Sequence, residues 1–423
     1  METPAPTMVQ YGESRVRALC EAAGLAARAP EIVDNYRLLS GSWGSRRIDR
    51  PPRWSYATAD STPLELSVVL EDRLTGLGVA VEAQASPATA PAYWRSASDL
   101  TERLGSRFGL SLERLRRVED LFRVDGPLPR HQSMATYHAM GWSERGRPAV
   151  KLYFWAGSSG AGLLGPVGAE ALDRLGLSAQ RQRISAALHP EDTVSYLSLD
   201  LTETGAARTK LYVQHRGELT ADRLERLGRL AADHAPGEAA ALVRAAVGAA
   251  AASSWPPGTS ARDRMQWLSN RRRHWPAGTY LSMTDGVPGA IESAVHQLAL
   301  PPLCRSDAEA AALVERILTE FGVGAEAAAA YRRCRDALTR RPLAAERYAH
   351  TFVSAKRRAD GRPRVVVYFN PRMFLARHGL SNGDLRQALR WAGADGAAGD
   401  VGTDGGVALP SSSAWSAAEN ALG

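Results

Sequence analysis

Apolar and polar positions along this chain alternate with two different periods, and the switches between them mark out its elements. Stretches with apolar residues every three to four positions predict helices over roughly 13–27, 98–122, 168–187, 219–250 and 306–338, with breaks inside most of them. Between these, short runs alternating at every second residue predict β-hairpins near 63–84, 134–155, 194–214, 279–300 and 348–370. Their connections carry turn formers, as in Glu203-Thr204-Gly205 and Ala359-Asp360-Gly361-Arg362-Pro363. Ser306 followed by Glu309 has the spacing of a capping box at the start of the last helical stretch. One unit, helical segments and then two strands joined by a turn, therefore recurs about five times.

The strand alternation also sorts side chains by face, because successive residues of a strand point to opposite sides of its sheet. Lys151, Tyr153 and Trp155 share one face, while Val150, Leu152 and Phe154 share the other. Arg208, Lys210, Tyr212 and Gln214 oppose Thr209, Leu211 and Val213, and Arg364 and Tyr368 oppose Val365, Val367 and Phe369. With helices over the apolar face, the cationic and tyrosine face is either open to water or turned into the lumen of a closed antiparallel barrel. Closure is favoured because the Lys/Arg-x-Tyr pairing repeats in separate hairpins and because a barrel leaves no exposed sheet edge.

Composition narrows the partners. The chain has 423 residues, is 44% hydrophobic and carries a formal charge of +7, which suits nucleic acid, an anionic membrane surface or a small polyanion such as a diphosphate. The cysteines Cys20, Cys304 and Cys334 are widely spaced, so neither a zinc site nor a disulfide framework is expected. The N-terminal METPAPTMVQ has no signal-peptide character, and no apolar run is long enough to span a bilayer. A cytoplasmic protein without a membrane partner is expected, either monomeric or homodimeric.

A face of Lys, Arg and Tyr has a specific chemical use. Transfer of an isoprenyl group from its diphosphate requires charge stabilisation of the leaving pyrophosphate, a dry surround for an allylic cation, and an electron-rich arene held against it. Lysines and arginines supply the first, and tyrosine faces supply the second through cation–π contact. Paired aspartates holding magnesium are the usual alternative, but the chain contains no DDxxD motif. Glu65, in Ser61-Thr62-Pro63-Leu64-Glu65-Leu66-Ser67, points away from its apolar neighbours and onto the face assigned to the lumen. There it either accepts an indole N–H or is an ordinary solvated strand carboxylate.

Six stretches carry a resemblance: Pro63-Leu64-Glu65-Leu66-Ser67, Arg117-Val118-Glu119-Asp120-Leu121-Phe122, Val150-Lys151-Leu152-Tyr153, Leu197-Ser198-Leu199-Asp200, Arg208-Thr209-Lys210-Leu211-Tyr212 and Val367-Tyr368-Phe369-Asn370-Pro371. Each is short, but in this order they resemble bacterial members of the dimethylallyltryptophan synthase family. The resemblance implies an α+β fold, the ABBA barrel, in which ten antiparallel strands from five ααββ units are enclosed by helices. It places that barrel in one domain over 10–392, and composition alone marks a mobile segment at 1–9 and a Gly/Ala/Ser-rich, low-complexity tail at 393–423 that Trp415 could dock. It further implies Friedel–Crafts alkylation of tryptophan or a tryptophan derivative in secondary metabolism, with no cofactor and no requirement for Mg2+. Glu65 would be the indole N–H partner. Lys151, Arg208, Lys210 and Gln297 would bind the diphosphate, and Tyr153, Tyr212 and Tyr368 would shield the cation.

Two further expectations follow from the resemblance. Relatives place an arginine near the start of the second strand, where this chain has Gly78, so Arg73 is expected to supply the missing phosphate contact. Loss of a bulky side chain there also widens the pocket, which admits a geranyl donor beside a dimethylallyl one. His138, on the strand paired with that of Lys151, either stands near the arene and takes the proton released on rearomatisation or is a structural strand histidine.

Two rival readings compete with this one. Gly160-Ala161-Gly162-Leu163-Leu164-Gly165 matches the dinucleotide fingerprint of an oxidoreductase, but it follows a hairpin strand, and Pro166 delays the helix. Arg271-Arg272-Arg273-His274-Trp275 has the composition of an RNA-binding patch, but it does not continue as a basic stripe, so no nucleic-acid partner is expected.

Overall fold

Among the described residues, ten strands pair in one continuous antiparallel ring. The computed structural model describes residues 6–374 apart from 50, 53–54, 56, 124–135, 157–164, 205–206, 216–219, 252–276, 285–286, 340 and 359. The strands form five hairpins: β1 (Leu64–Leu70) with β2 (Leu74–Glu82), β3 (Thr136–Ser143) with β4 (Ala149–Trp155), β5 (Asp192–Leu201) with β6 (Arg208–His215), β7 (Ala277–Thr284) with β8 (Ser293–Ala299), and β9 (His350–Arg357) with β10 (Pro363–Phe369). Each hairpin pairs with the next, and β1 pairs with β10 in the register Ser67↔Tyr368. This closes the barrel. All five hairpins fall within or next to the ranges read from the sequence.

Helices precede every hairpin. They are α1 (Met8–Ala22), α2 (Ala29–Leu39), α3 (Ala90–Phe108), the single turns α4 (Glu113–Arg116) and α5 (Glu119–Phe122), α6 (Gly165–Arg174), α7 (Ser178–Ala187), α8 (Ala221–Gly228), α9 (Glu238–Ala251), α10 (Asp307–Phe321) and α11 (Ala325–Leu338). Local chemistry sets their ends. Thr7, Thr89, Thr220 and Ser306 each accept a first-turn backbone N–H, while α3 and α10 end on Gly109 and Gly322 in the left-handed conformation. Ser306 Oγ accepts from Glu309 N as expected, but the Glu309 carboxylate takes the N–H of Arg305 in place of the cap's own.

The first helix starts earlier than its periodicity suggested, because the Thr7 capping box draws Met8 and Val9 into it. The periodicity also gave no separate α2, which begins after a left-handed Gly24 and a 3-10 turn. The glycine stretch 160–164, the basic run 271–275 and the tail 393–423 lie outside the described residues. The strand before that glycine stretch, β4, is antiparallel to both β3 and β5, so it is not the first strand of a parallel βαβ unit.

The main core lies between barrel and helices. Leu64, Leu66, Val68 and Leu70 of β1, Val150, Leu152 and Phe154 of β4, and Val365, Val367 and Phe369 of β10 are all buried there. Burying each such side chain is worth about 1.5–3 kcal/mol. Phe122 of α5 stacks on Phe154 at 4.7 Å between ring centroids, and α1 packs against both α2 and α11, joining the first helices to the last. With one face of every strand covered in this way, alternation turns the other face inward.

Candidate active site

The inward faces enclose a cavity of about 640 Å³, within the usual range for small-molecule sites. One end is cationic. Lys151 on β4, Arg208 and Lys210 on β6, and Arg364 on β10 converge there. Asp200 on β5 stands among them, with Arg208 donating Nε and Nη2 to Oδ2 at 2.9 and 2.8 Å and Lys210 Nζ lying 3.9 Å from Oδ1. Burial pushes both lysines below their ordinary range, with Asp200 as the opposing charge. Burial would raise Asp200, but Lys210, Lys151 and Arg208 outweigh it and hold the carboxyl below its usual value.

Next to the cations lies a belt of aromatic rings. Tyr212 is 5.8 Å from Tyr153, 5.1 Å from Tyr280 and 6.3 Å from Tyr196, centroid to centroid, and Tyr368 lines the same space. Lys210 Nζ lies 5.6 Å from the centre of the Tyr280 ring. Beyond the belt is Glu65 on β1, whose Oε1 accepts a 2.6 Å hydrogen bond from the Thr351 hydroxyl. Burial raises Glu65 to about 7, and the Thr351 hydrogen bond opposes that rise. The wall beside Glu65 is nearly bare: Gly76, Gly78 and Ala80 of β2 face Ala139 and Gly141 of β3. A side chain begun at Gly78 would meet Ser67 Oγ at 2.3 Å.

No family model matches the chain. Solved structures do match it. A 6-dimethylallyltryptophan synthase from Micromonospora olivasterospora, solved in complex with DMASPP and Trp, has a TM-score of 0.72 at 24% identity, with 87% of this chain and 98% of that one covered. A 5-dimethylallyl tryptophan synthase from Streptomyces coelicolor, also in complex with DMASPP and Trp, has a TM-score of 0.70 at 24% identity, covering 90% and 99%. The prenyltransferase PriB in its apo form has a TM-score of 0.71 at 25% identity, covering 87% and 97%. The chain has the ABBA prenyltransferase fold.

Within this prenyltransferase barrel, eight of the residues expected at the site line the one cavity: Glu65, Lys151, Tyr153, Arg208, Lys210, Tyr212, Gln297 and Tyr368. Gln297 pairs in register with Gly278, which in turn pairs with Gln214, two positions along the strand from Tyr212 and away from Lys210. It thus faces the lumen beyond the tyrosine belt.

Two expected residues are not at the site. His138 shares its face of β3 with Met140 and Trp142, so alternation turns it outward against the helices. There its Nε2 is 2.8 Å from the Thr101 hydroxyl of α3, and burial depresses the imidazole to about 3. It has no route to an arene in the lumen. Arg73 lies in the turn between β1 and β2, 57% exposed, with Nη2 on Glu144 at 2.8 Å. The backbone has already left the ladder at that point, and the side chain extends outside the cavity.

Several lumen residues escaped the sequence reading. Tyr137, Tyr196, Tyr280 and Thr351 line the cavity, and Asp200 stands at its charged end together with Arg364, whose place on the cationic face was legible but whose role was not. Tyr280 was legible, since Tyr280 and Ser282 alternate with Leu281 and Met283. Thr351 was not, because the pairing of β9 with β10 shifts between Val367 and Phe369 and breaks simple parity. Among the described residues, no group of three or more His, Cys, Asp or Glu could hold a metal ion, and no helix is long and apolar enough to cross a membrane.

Proposed function

We propose that this chain transfers an allylic isoprenyl group from its diphosphate to the indole ring of tryptophan or a tryptophan derivative. The observation that carries this reading is that cations, tyrosines and a half-buried carboxylate line one lumen, with Tyr153 close enough to feel both Asp200 and Glu65. Two of the solved structures sharing the fold are dimethylallyltryptophan synthases in complex with DMASPP and Trp, which supports the same substrate pair.

In this reading Lys151, Arg208, Lys210 and Arg364 bind the diphosphate, and Gln297, which lies beyond the tyrosine belt from Lys210, is not among its ligands. Their charge stabilises the electron pair that leaves with pyrophosphate when the C–O bond breaks. Tyr153, Tyr212, Tyr280 and Tyr368 hold the allylic cation, each cation–π contact contributing about 0.5–2 kcal/mol in a desolvated site. Glu65 accepts the indole N–H, which fixes the ring and makes it more electron-rich. The ring then forms the new C–C bond and loses a proton, which the released pyrophosphate can take up, to regain aromaticity. His138 takes no part, being on the other side of the barrel wall.

The four cations carry the charge that a divalent metal would otherwise carry, so the reaction is inferred to run without one. The bare wall of Gly76, Gly78 and Ala80 supports a geranyl donor as well as a dimethylallyl one. The partners are then small molecules, with no nucleic acid or membrane involved, and the protein acts as a monomer or homodimer. The three cysteines are buried and form no disulfide, which suits the reducing cytoplasm. Incubation with a panel of indoles and dimethylallyl or geranyl diphosphate, with EDTA present, tests the reading by product mass and NMR. Prenylated indole is the expected product. Absence of any product, or activity abolished by EDTA and restored by Mg2+, would count against the substrates or the metal-free mechanism respectively.

A further inference from the structure

Asp200 is a carboxylate set into a cluster that otherwise attracts anions, and the reaction proposed above gives it no task. Its side chain is 11% exposed. On β5 it pairs in register with Lys151 of β4, and on its other side are Arg208 and Lys210 of β6. Two N–H groups of Arg208 point at Oδ2, while Oδ1 is buried without a hydrogen-bond partner. A buried, half-satisfied carboxylate is costly. Its presence is explained if its charge is what the neighbouring cations need.

Two lysines facing one closed lumen repel each other and lose hydration, and both effects favour shedding a proton. We propose that Asp200 is the resident counter-ion of the diphosphate site, holding Arg208 and Lys210 in place and keeping the lysines charged while the site is empty. This rests on the lumen being a diphosphate site. Asp200 is a positioning residue: it acts on the groups that touch the donor. The charges it meets are Lys151, Arg208 and Lys210 from the adjacent strands, with Arg364 adding positive charge from β10. Tyr153 and Tyr280 also feel it, and burial keeps both as neutral phenols. When diphosphate enters, its own charge takes over from the carboxylate, and Arg208, 51% exposed, is the group best able to turn toward it.

Without Asp200, a lysine of the empty site gives up its proton and must recover one as the anion binds. Inorganic pyrophosphate is the probe, titrated by calorimetry near pH 8 in two buffers of different ionisation enthalpy. Asp200→Asn should take up about one more proton per pyrophosphate bound than the wild type, and its affinity should fall up to about tenfold more per pH unit. Asp200→Glu, which keeps the charge, should match the wild type in both. A merely structural role would change affinity without changing the proton count. Equal proton uptake by wild type and Asp200→Asn overturns the proposal, and Asp200→Ser is held to the same criterion should the asparagine variant not fold. Failure of the wild type to bind pyrophosphate at all overturns the diphosphate reading itself, and this proposal with it.

Discussion

Thr351 on β9 donates its hydroxyl to Glu65 on β1 at 2.6 Å, spanning β10, the strand that closes the barrel. The acceptor carboxylate is otherwise starved of solvent, and burial lifts it from 4.5 to about 7. Below pH 4.5 Glu65 is protonated whether the chain is folded or not. Above pH 7 the folded chain must ionise it in a dry lumen, so the ionised group opposes folding there.

The first prediction follows from that sign. Glu65→Gln should raise unfolding stability at pH 8 by on the order of 3 kcal/mol at most, the cost of ionising Glu65 in the lumen, and the gain should vanish near pH 4. Turnover should move the other way, falling about 10²–10⁴-fold because the indole N–H loses its acceptor. Denaturant melts at the two pH values and steady-state rates check both. Unchanged turnover would remove Glu65 from the reaction.

Thr351→Val deletes the hydrogen bond while keeping the side-chain shape. Wild-type turnover should rise with pH through about 7 as Glu65 ionises, and the variant's rising limb should sit at higher pH because the donor that favoured the ionised form is gone. Rate–pH profiles of the two proteins decide this.

Lys151→Met should weaken donor binding and leave the acceptor unaffected. Loss of one charge-assisted hydrogen bond is worth about 1.5–3 kcal/mol, so pyrophosphate affinity should fall roughly 10- to 150-fold. Indole KM should hold within about twofold, since Lys151 lies at the cationic end and Glu65 beyond the tyrosines.

Tyr280 should act through its ring face more than its hydroxyl. Tyr280→Phe is expected to couple normally, whereas Tyr280→Leu should divert the cation to water and raise the ratio of prenyl alcohol to prenylated indole by about 2- to 30-fold. Quantifying both products from one reaction measures that ratio directly.

Gly78→Val tests the bare wall. The new Cβ meets the Ser67 hydroxyl, a single-bond rotor that can turn away, so the fold should survive. Filling this wall should lower the preference for geranyl over dimethylallyl diphosphate by roughly 10- to 200-fold, the cost of one or two methylenes in a tight pocket. Competition between the two donors gives the preference.

The barrel was legible in the sequence because a strand covered on one face and polar on the other has an unmistakable period of two. Lys151-Leu152-Tyr153 and Arg208-Thr209-Lys210 could be assigned to faces residue by residue, and both segments lie as read. His138 was misplaced for want of the same rule: Met140 and Trp142 share its parity, and polar character drew it to the wrong side. Three other histidines also serve outside the lumen, His215 against Asp192, His296 against Thr279 and His350 against Asp307. Arg73 failed for a different reason. Parity says nothing once the backbone turns, and a turn arginine finds the nearest carboxylate. Asp200 was quoted within a strand but given no role, because the value of an anion among cations shows only when its neighbours on β4 and β6 are in place.

The pairing of β1 with β10 has a consequence for synthesis. Glu65 leaves the ribosome about 300 residues ahead of Tyr368, yet the lumen they share exists only after the tenth strand has docked on the first. A nascent chain that has exposed its carboxylate, its lysines and most of its tyrosines is still an open trough wetted by solvent. No reactive cation can be sheltered before the final hairpin emerges, so catalytic competence should appear all at once when that hairpin docks.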